Sequence, residues 1–459
     1  MTSWAPHTPA EIDEMLAFIG VSSLDELFRA VPVSLRLATG LSIPDGIGEP
    51  DLMAYFQELA AANAPIGRDL VCFAGGGAYD HEVPAVTKAL ASRSEFVTAY
   101  TPYQAEVAQG VLQALFEYQT MVARLAGLEV ANASLYDGAH ALVEAVNLAV
   151  AATGRSAVWV SEGVNPRWRE NLITIARARS ESHVIHIVPL EQGVGVTSWS
   201  TRESSADATS EPPAAIVVAN PNFLGCLEDM ERASALASAH GAELIVAFDP
   251  ITAGIIESPG SAGASVAVGE GQALGAPLSF GGPYLGLFAC SMEHVRRIPG
   301  RIVGQTVDVD SRTAYVTTLR AREQDIRRER ASSNVCTNET LLAIGAAVQM
   351  AWLGTSGLAE IALRSARGAR YCREALLGIP GVRLAATAPT VREFAVCAPV
   401  SGEVIVDRML DEGFLAGVAL TREIAPQGFE GGLLVAVTER RTRAEIDAFA
   451  AAFEKAVSL

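Results

Sequence analysis

The chain has 459 residues, half of them apolar, with 34 basic against 52 acidic side chains and a formal net charge of −18. That length allows two or three domains around a large core, and the acidic balance argues against nucleic acid or an anionic membrane as partner. The six cysteines, Cys72, Cys226, Cys290, Cys336, Cys372 and Cys397, include no C-x-x-C pair, which points to reduced core thiols and no metal site. No apolar run reads as a bilayer span, and the N-terminus lacks the basic region and apolar core of a signal peptide, so a cytoplasmic protein is expected.

Two capping boxes, Thr8-Pro-Ala-Glu11 and Ser23-Leu-Asp-Glu26, open the chain, and a third helical pattern covers about 51–63. Residues 1–70 therefore read as a helical arm. In 71–335, helices alternate with strands expected at 157–160, 183–189, 214–219 and 243–248. These strands are short, β-branched and almost continuously apolar, as in a parallel sheet covered on both faces. Residues 198–213, rich in Ser, Thr and acidic side chains, read as a surface loop. After Thr337 an apolar helical pattern runs to about Leu353. Strands at 391–398 and 433–437 follow, and the capping box Thr442-Arg-Ala-Glu445 starts a closing helix. The layout is α/β: a large domain with a mainly parallel sheet over 71–335, and a smaller C-terminal α/β domain over 336–459.

Several segments carry chemistry. Phe73-Ala-Gly-Gly-Gly-Ala-Tyr79 is glycine-rich but lacks a nucleotide-binding spacing and reads as a tight turn. In Ala99-Tyr-Thr-Pro-Tyr-Gln-Ala-Glu106, a proline stiffens a turn that presents Tyr100, Tyr103 and Gln104, a composition suited to a cleft or a subunit interface. Asn132 to Glu144 passes from a small-residue turn into a helix that starts at Asp137, beside Tyr136. Arg320, Arg322, Arg327, Arg328 and Arg330 form a local basic run; it reads as a salt-bridged helix face or an interface, with bidentate anion binding as the alternative. The seven histidines show no ligand spacing, and His81 and His140 read as structural.

Asp249-Pro250 at a strand end, followed by Gly269 to Gly286 and the apolar run Leu285 to Cys290, has the order of the cofactor floor of fold-type I pyridoxal-phosphate enzymes. There an aspartate pairs with the pyridine nitrogen and a lysine further on forms the Schiff base. Gln272 stands at the lysine position, and a carboxamide cannot form an imine. Lys88 and Lys455 are the only lysines in the sequence, and both fall in surface-type helical patterns. The helix start at Asp137 suits phosphate poorly, because its carboxylate already satisfies the helix dipole.

Taken together, Gly77-Ala-Tyr-Asp-His81, Ser92-Arg-Ser-Glu-Phe96, Tyr100-Thr-Pro-Tyr-Gln104, Tyr118-Gln-Thr-Met121, Tyr136-Asp-Gly138, Asn220-Pro-Asn-Phe223, Phe280-Gly-Gly-Pro283, Pro299-Gly-Arg-Ile-Val-Gly-Gln305 and Ser333-Asn-Val-Cys-Thr337 span most of the chain. They resemble the glycine dehydrogenase (decarboxylating) family, the P-protein of the glycine cleavage system, in its separate N-terminal half, subunit 1 or α. Asp325, Asn165 and His140 depart from the family pattern. The resemblance implies a fold-type I pyridoxal-phosphate-transferase-like fold and a lysine-bearing partner, subunit 2, in a heterotetramer with two copies of each. It implies that pyridoxal phosphate sits on that partner, with no catalytic residue of its own in this chain. The joint reaction decarboxylates glycine and passes the aminomethyl group to the lipoyl group of H-protein. Tyr100, Tyr103, Gln104, Tyr136, Asp137 and Arg327 are then the candidates to reach the partner's active site. A non-catalytic scaffold or regulatory pseudoenzyme predicts the same missing lysine. An autonomous aminotransferase or cysteine desulfurase relative does not.

Overall fold

The computed structural model describes residues 6–37, 40–97, 100–178, 183–203, 212–279 and 281–458. Residues 1–64 and 65–459 form two compact units. In the first, helix Pro9–Ile19 starts at a complete Thr8–Glu11 capping box. The second expected box is shifted by one residue. Ser23 is the N-cap but makes no side-chain cap, and Glu26 bonds instead to the backbone and hydroxyl of Ser22. The third helix is Glu49–Ala61.

The second unit is built on a seven-stranded sheet. In spatial order its strands are Val130–Ala131, Gly286–Cys290, Val266–Glu270, Glu243–Phe248, Ala215–Asn220, Ala157–Ser161 and Val184–Val188. The last five pair in parallel; Gly286–Cys290 runs antiparallel to both its neighbours. Central strands are buried on both faces because helices cover each side, as their apolar runs require. Val184–Val188 departs from that expectation: it is an edge strand and leaves Val184 and Ile187 exposed. The apolar pattern beginning after Thr337 does not stop near Leu353. It continues as helix Thr340–Leu377, broken at Gly354, whose φ of 61° and ψ of −176° are open to glycine alone. This helix is also long and apolar enough to match a bilayer span, contrary to the reading of the sequence. In the fold, its Ala343, Ile344 and Ala346 are buried in the main core.

A second sheet of four strands, Arg383–Leu384, Glu393–Cys397, Leu433–Ala436 and Val418–Ala419, is antiparallel and packs under helices Gly402–Asp411 and Arg443–Ser458. The strand Val71–Cys72 joins this layer by pairing in parallel with Phe414–Leu415, and the next residue, Phe73, stacks on Phe449 at 3.9 Å. The first strand after the arm thus brings the glycine-rich turn 75–77 to the seam between the two sheets.

Candidate functional site

Asp249 follows strand Glu243–Phe248 at its C-terminal end, where ligands bind in open α/β sheets. Its Oδ1 accepts the backbone N–H groups of Ile251 and Thr252, each at 2.9 Å. Its Oδ2 accepts from the guanidinium of Arg392, which comes from the C-terminal sheet layer. Arg392 is 3% exposed, and its guanidinium carbon lies 3.5 Å from the centroid of the Tyr79 ring. Its other terminal nitrogen meets Nε2 of His81, whose Nδ1 lies 2.5 Å from Glu439. Burial drives the pKa values of Arg392 and His81 downward. The neighbouring Glu393 accepts from the Gly76 N–H at 2.7 Å and the Tyr79 hydroxyl at 2.8 Å. Burial pushes its carboxyl up to about 7 against those bonds.

Gln272 is 1% exposed and spends its amide inside the protein. Its Oε1 accepts Tyr79 N–H, and its Nε2 donates to the carbonyls of Tyr79 and Ala276. Two residues earlier, the Glu270 carboxyl accepts the N–H groups of Gly138, Gln272 and Leu285, each at 3.0 Å. Gly138 is the first residue of helix Gly138–Thr153, so Glu270 occupies the helix end where a phosphate would bind. Burial pushes Glu270 up to about 7 despite the three donors. Asp137 is the N-cap of the same helix and accepts His140 N–H at 2.8 Å. Burial opposes its ionisation, but the bonds from His140 outweigh it and hold the carboxyl below its ordinary range.

Three handles for pyridoxal phosphate are therefore each closed by the chain itself. Gln272, expected at the lysine position, is a hydrogen-bonded carboxamide; Asp249, expected to pair with the ring, is engaged by Arg392; and the helix end expected to cup the phosphate holds Glu270 beside Asp137. The cofactor does not fit this floor.

Apart from Asp137, the residues expected to reach across a subunit boundary lie elsewhere. Tyr100 and Tyr103 are 71% and 61% exposed, and Gln104 is exposed beside them. Tyr103 lines a pocket with Arg301, Arg320, Gln324 and Cys336, and the Arg301 guanidinium sits over its ring at 5.7 Å. The Tyr136 hydroxyl accepts Cys336 N–H at 3.1 Å, and its ring meets His140 edge-on at 5.5 Å. Tyr103 and Tyr136 thus converge on Cys336, with Asp137 behind them through His140. Arg327 is exposed and donates to the carbonyl of Ala321 at 3.2 Å. The basic run is not one helix face: it folds as the short turns Arg320–Arg322, Gln324–Arg327 and Arg328–Arg330. Arg320 pairs with Asp325 at 2.6 Å, which gives that carboxylate a local partner. Asn165 donates to the Gly76 carbonyl at 2.8 Å, and His140 pairs with Asp137.

Sequence reasoning missed Arg392, Glu393, Glu270 and Tyr79, and it read the glycine turn as a mere turn although Gly76 and Gly77 line one pocket together with Asp249, Gln272 and Arg392. One signal was available: Arg392 and Glu393 are two charges inside the apolar run 391–398. Cys336 is exposed and Cys397 half-buried, unlike the core thiols expected. Lys88 is exposed, and Lys455 pairs with Glu412. Glu243, Glu293 and His294 come within metal-ligating reach of one another at the opposite end of strand Glu243–Phe248 from Asp249, a cluster that no spacing in the sequence signalled. Ala99, Phe280 and loop residues 204–211 lie outside the described residues.

Comparison with known proteins places these observations. The family model of the glycine cleavage system P-protein matches residues 2–453. The probable glycine dehydrogenase (decarboxylating) subunit 1 of Prosthecochloris aestuarii is 46% identical over 443 residues, covering 96% of this chain and 97% of that protein. The protein of the same name from Geotalea uraniireducens is 44% identical over 455 residues, covering 99% of this chain and all of its own length. The crystal structure of a glycine decarboxylase (P-protein) of the glycine cleavage system, in inhibitor-bound form, superposes with a TM-score of 0.89 at 42% identity, covering 99% of this chain and 100% of that one. A sphingosine-1-phosphate lyase from Burkholderia pseudomallei shares the fold at 15% identity and a TM-score of 0.66, covering 93% of this chain and 94% of its own.

Proposed function

Because the chain belongs to the glycine cleavage system P-protein family, we propose that it acts as subunit 1 of a heteromeric glycine decarboxylase whose cofactor chemistry takes place on a lysine-bearing partner. The observation that carries this reading is the closed floor: Gln272, Arg392 and Glu270 occupy the three places a cofactor would need. The reading is of a cytoplasmic heterotetramer, two copies of each subunit, that decarboxylates glycine and delivers the aminomethyl group to lipoylated H-protein. Pyridoxal phosphate on the partner supplies the electron sink for loss of CO₂.

This chain's contribution is then positional. Tyr100, Tyr103 and Gln104 sit on a proline-stiffened turn, with hydroxyl and amide groups directed by a rigid backbone. Across an interface they would hydrogen-bond bound glycine and shield its carboxylate from water; a desolvated carboxylate loses CO₂ more readily. Tyr136 and Asp137 would border the same space from behind Cys336, with Arg327 at its exposed rim.

The test is reconstitution. The purified chain alone is expected to show no glycine decarboxylation with added pyridoxal phosphate, and activity should appear on mixing with the lysine-bearing homologue. A scaffold reading predicts that the homologue is equally active without this chain, and that result would overturn the proposal.

A further inference from the structure

Arg392 is held by three groups drawn from two segments far apart in sequence, Tyr79 and His81 from one and Asp249 from the other. Asp249 faces it with one oxygen, because the other is fixed by the Ile251 and Thr252 N–H groups. The guanidinium carbon sits over the Tyr79 ring, 3.5 Å from its centroid and well within cation–π range. His81 meets it through Nε2. Arginine has donors only, so Nε2 must be the acceptor nitrogen, and Nδ1 carries the proton donated to Glu439.

We propose that Asp249, Tyr79 and His81 form a binding site for a planar cation, that Arg392 is its resident internal ligand, and that this ligand latches the C-terminal layer onto the large domain. Carboxylate, ring face and imidazole acceptor match the charge, the plane and the N–H fork of a guanidinium. The seat next to it is built for permanent closure. A Cβ on Gly75 would lie 2.2 Å from Oε1 of Glu393, and one on Gly225 would lie 2.0 Å from the Glu393 carbonyl oxygen. Only glycine lets the two layers approach this far. Gln272 belongs to the same device, since it pins the Tyr79 backbone and thereby the ring that carries the guanidinium. A floor that elsewhere takes an external ring has here become a joint filled from within. The proposal concerns the chain by itself and stands whether or not the partner-dependent reading holds.

The test uses full-length protein without partner. Arg392→Ala should lower the melting temperature and speed hydrogen exchange in strand Glu393–Cys397. Methylguanidinium at low millimolar concentration should reverse both effects saturably, whereas urea, a neutral molecule of the same shape, should not. The rescue should vanish in Arg392→Ala/Asp249→Asn. Absence of rescue in a folded Arg392→Ala protein, or equal rescue by urea, overturns the cation site. If Arg392→Ala does not fold, Asp249→Asn decides, because it keeps the pocket filled and removes only the charge. Faster exchange in strand Glu393–Cys397 supports the latch, and unchanged exchange overturns it.

Discussion

Gln272 and Tyr79 are joined backbone to side chain in both directions: the Tyr79 N–H donates to Oε1 at 2.9 Å, and Nε2 donates to the Tyr79 carbonyl at 3.1 Å. The side chain that the sequence puts where a Schiff-base lysine is expected is thus a structural brace. Its third bond, to the Ala276 carbonyl at 2.8 Å, completes its amide hydrogens.

Restoring the amine should therefore not restore cofactor binding. In Gln272→Lys an ammonium loses the acceptor for Tyr79 N–H, leaving a buried donor unpaired at a cost of about 1–3 kcal/mol. Glu270 and Arg392 still fill the other two handles. The expected outcome is a less stable protein that shows no new absorbance with pyridoxal phosphate and, after borohydride reduction, no adduct at position 272. A specific adduct there, with glycine turnover by the single variant, sinks the closed-floor reading.

Tyr103→Phe removes one hydroxyl and keeps the ring that lies under Arg301. Assembly with the partner should be unchanged by sedimentation, while glycine exchange by the complex should fall about tenfold, the effect of losing one hydrogen bond made in the transition state. Unaltered turnover in Tyr100→Phe, Tyr103→Phe and Gln104→Ala complexes alike would assign the turn to packing.

Stability should respond to Glu393. Its carboxyl is raised to about 7, chiefly by burial, so the fold favours the protonated form. The corresponding stability is complete below the ordinary carboxyl range, near pH 4.5, and is lost as pH rises to about 7. Glu270 acts with the same sign. His81, depressed by burial, acts oppositely, losing stability as pH falls below about 6.5, so the wild-type slope is a difference. Glu393→Gln isolates one component. Relative to wild type, the variant should gain stability between about pH 5 and about pH 8, read from thermal melts. A constant offset across that range would contradict the assignment.

The Asp137–His140 pair makes a complementary prediction. His140 is raised by its bond to Asp137, so its contribution is present below about 6.5 and lost as pH climbs through its raised value. Asp137 is lowered, so its contribution is present above about 4 and lost on acidification. The pair is at full strength between those limits. Asp137→Ala should cost about 1 kcal/mol for the lost N-cap at any neutral pH, and more within that window. Asp137→Asn keeps a capping oxygen and should lose only the pH-dependent part. An Asp137→Asn melt identical to wild type at about pH 5.5 would refute the charge component, and identical melts for the two variants would refute the cap.

Much of the architecture was legible because it is local. Apolar β-branched runs marked the central strands, and Thr8 with Glu11 and Thr442 with Glu445 closed their capping boxes as spaced. Errors arose where neighbours decide. Val184–Val188 has the composition of a buried strand but lies at the sheet edge, and Glu26 chose the hydroxyl of Ser22 over that of Ser23. The helix after Thr337 continued past its expected end because a single glycine, Gly354, absorbs the break within it.

By itself the sequence determined what the chain cannot do: Gln272 has no nucleophilic amine, and that is a matter of covalent identity which no fold can change. Only the tertiary structure decided what became of the rest of the floor. Asp249 and Arg392 stand 143 residues apart, and Tyr79 and Gln272 stand 193 apart. No periodicity or local spacing links such residues. They meet because the two sheet layers close on each other, and the charge of Asp249, taken out of water there, is met by the cation that Arg392 brings to it.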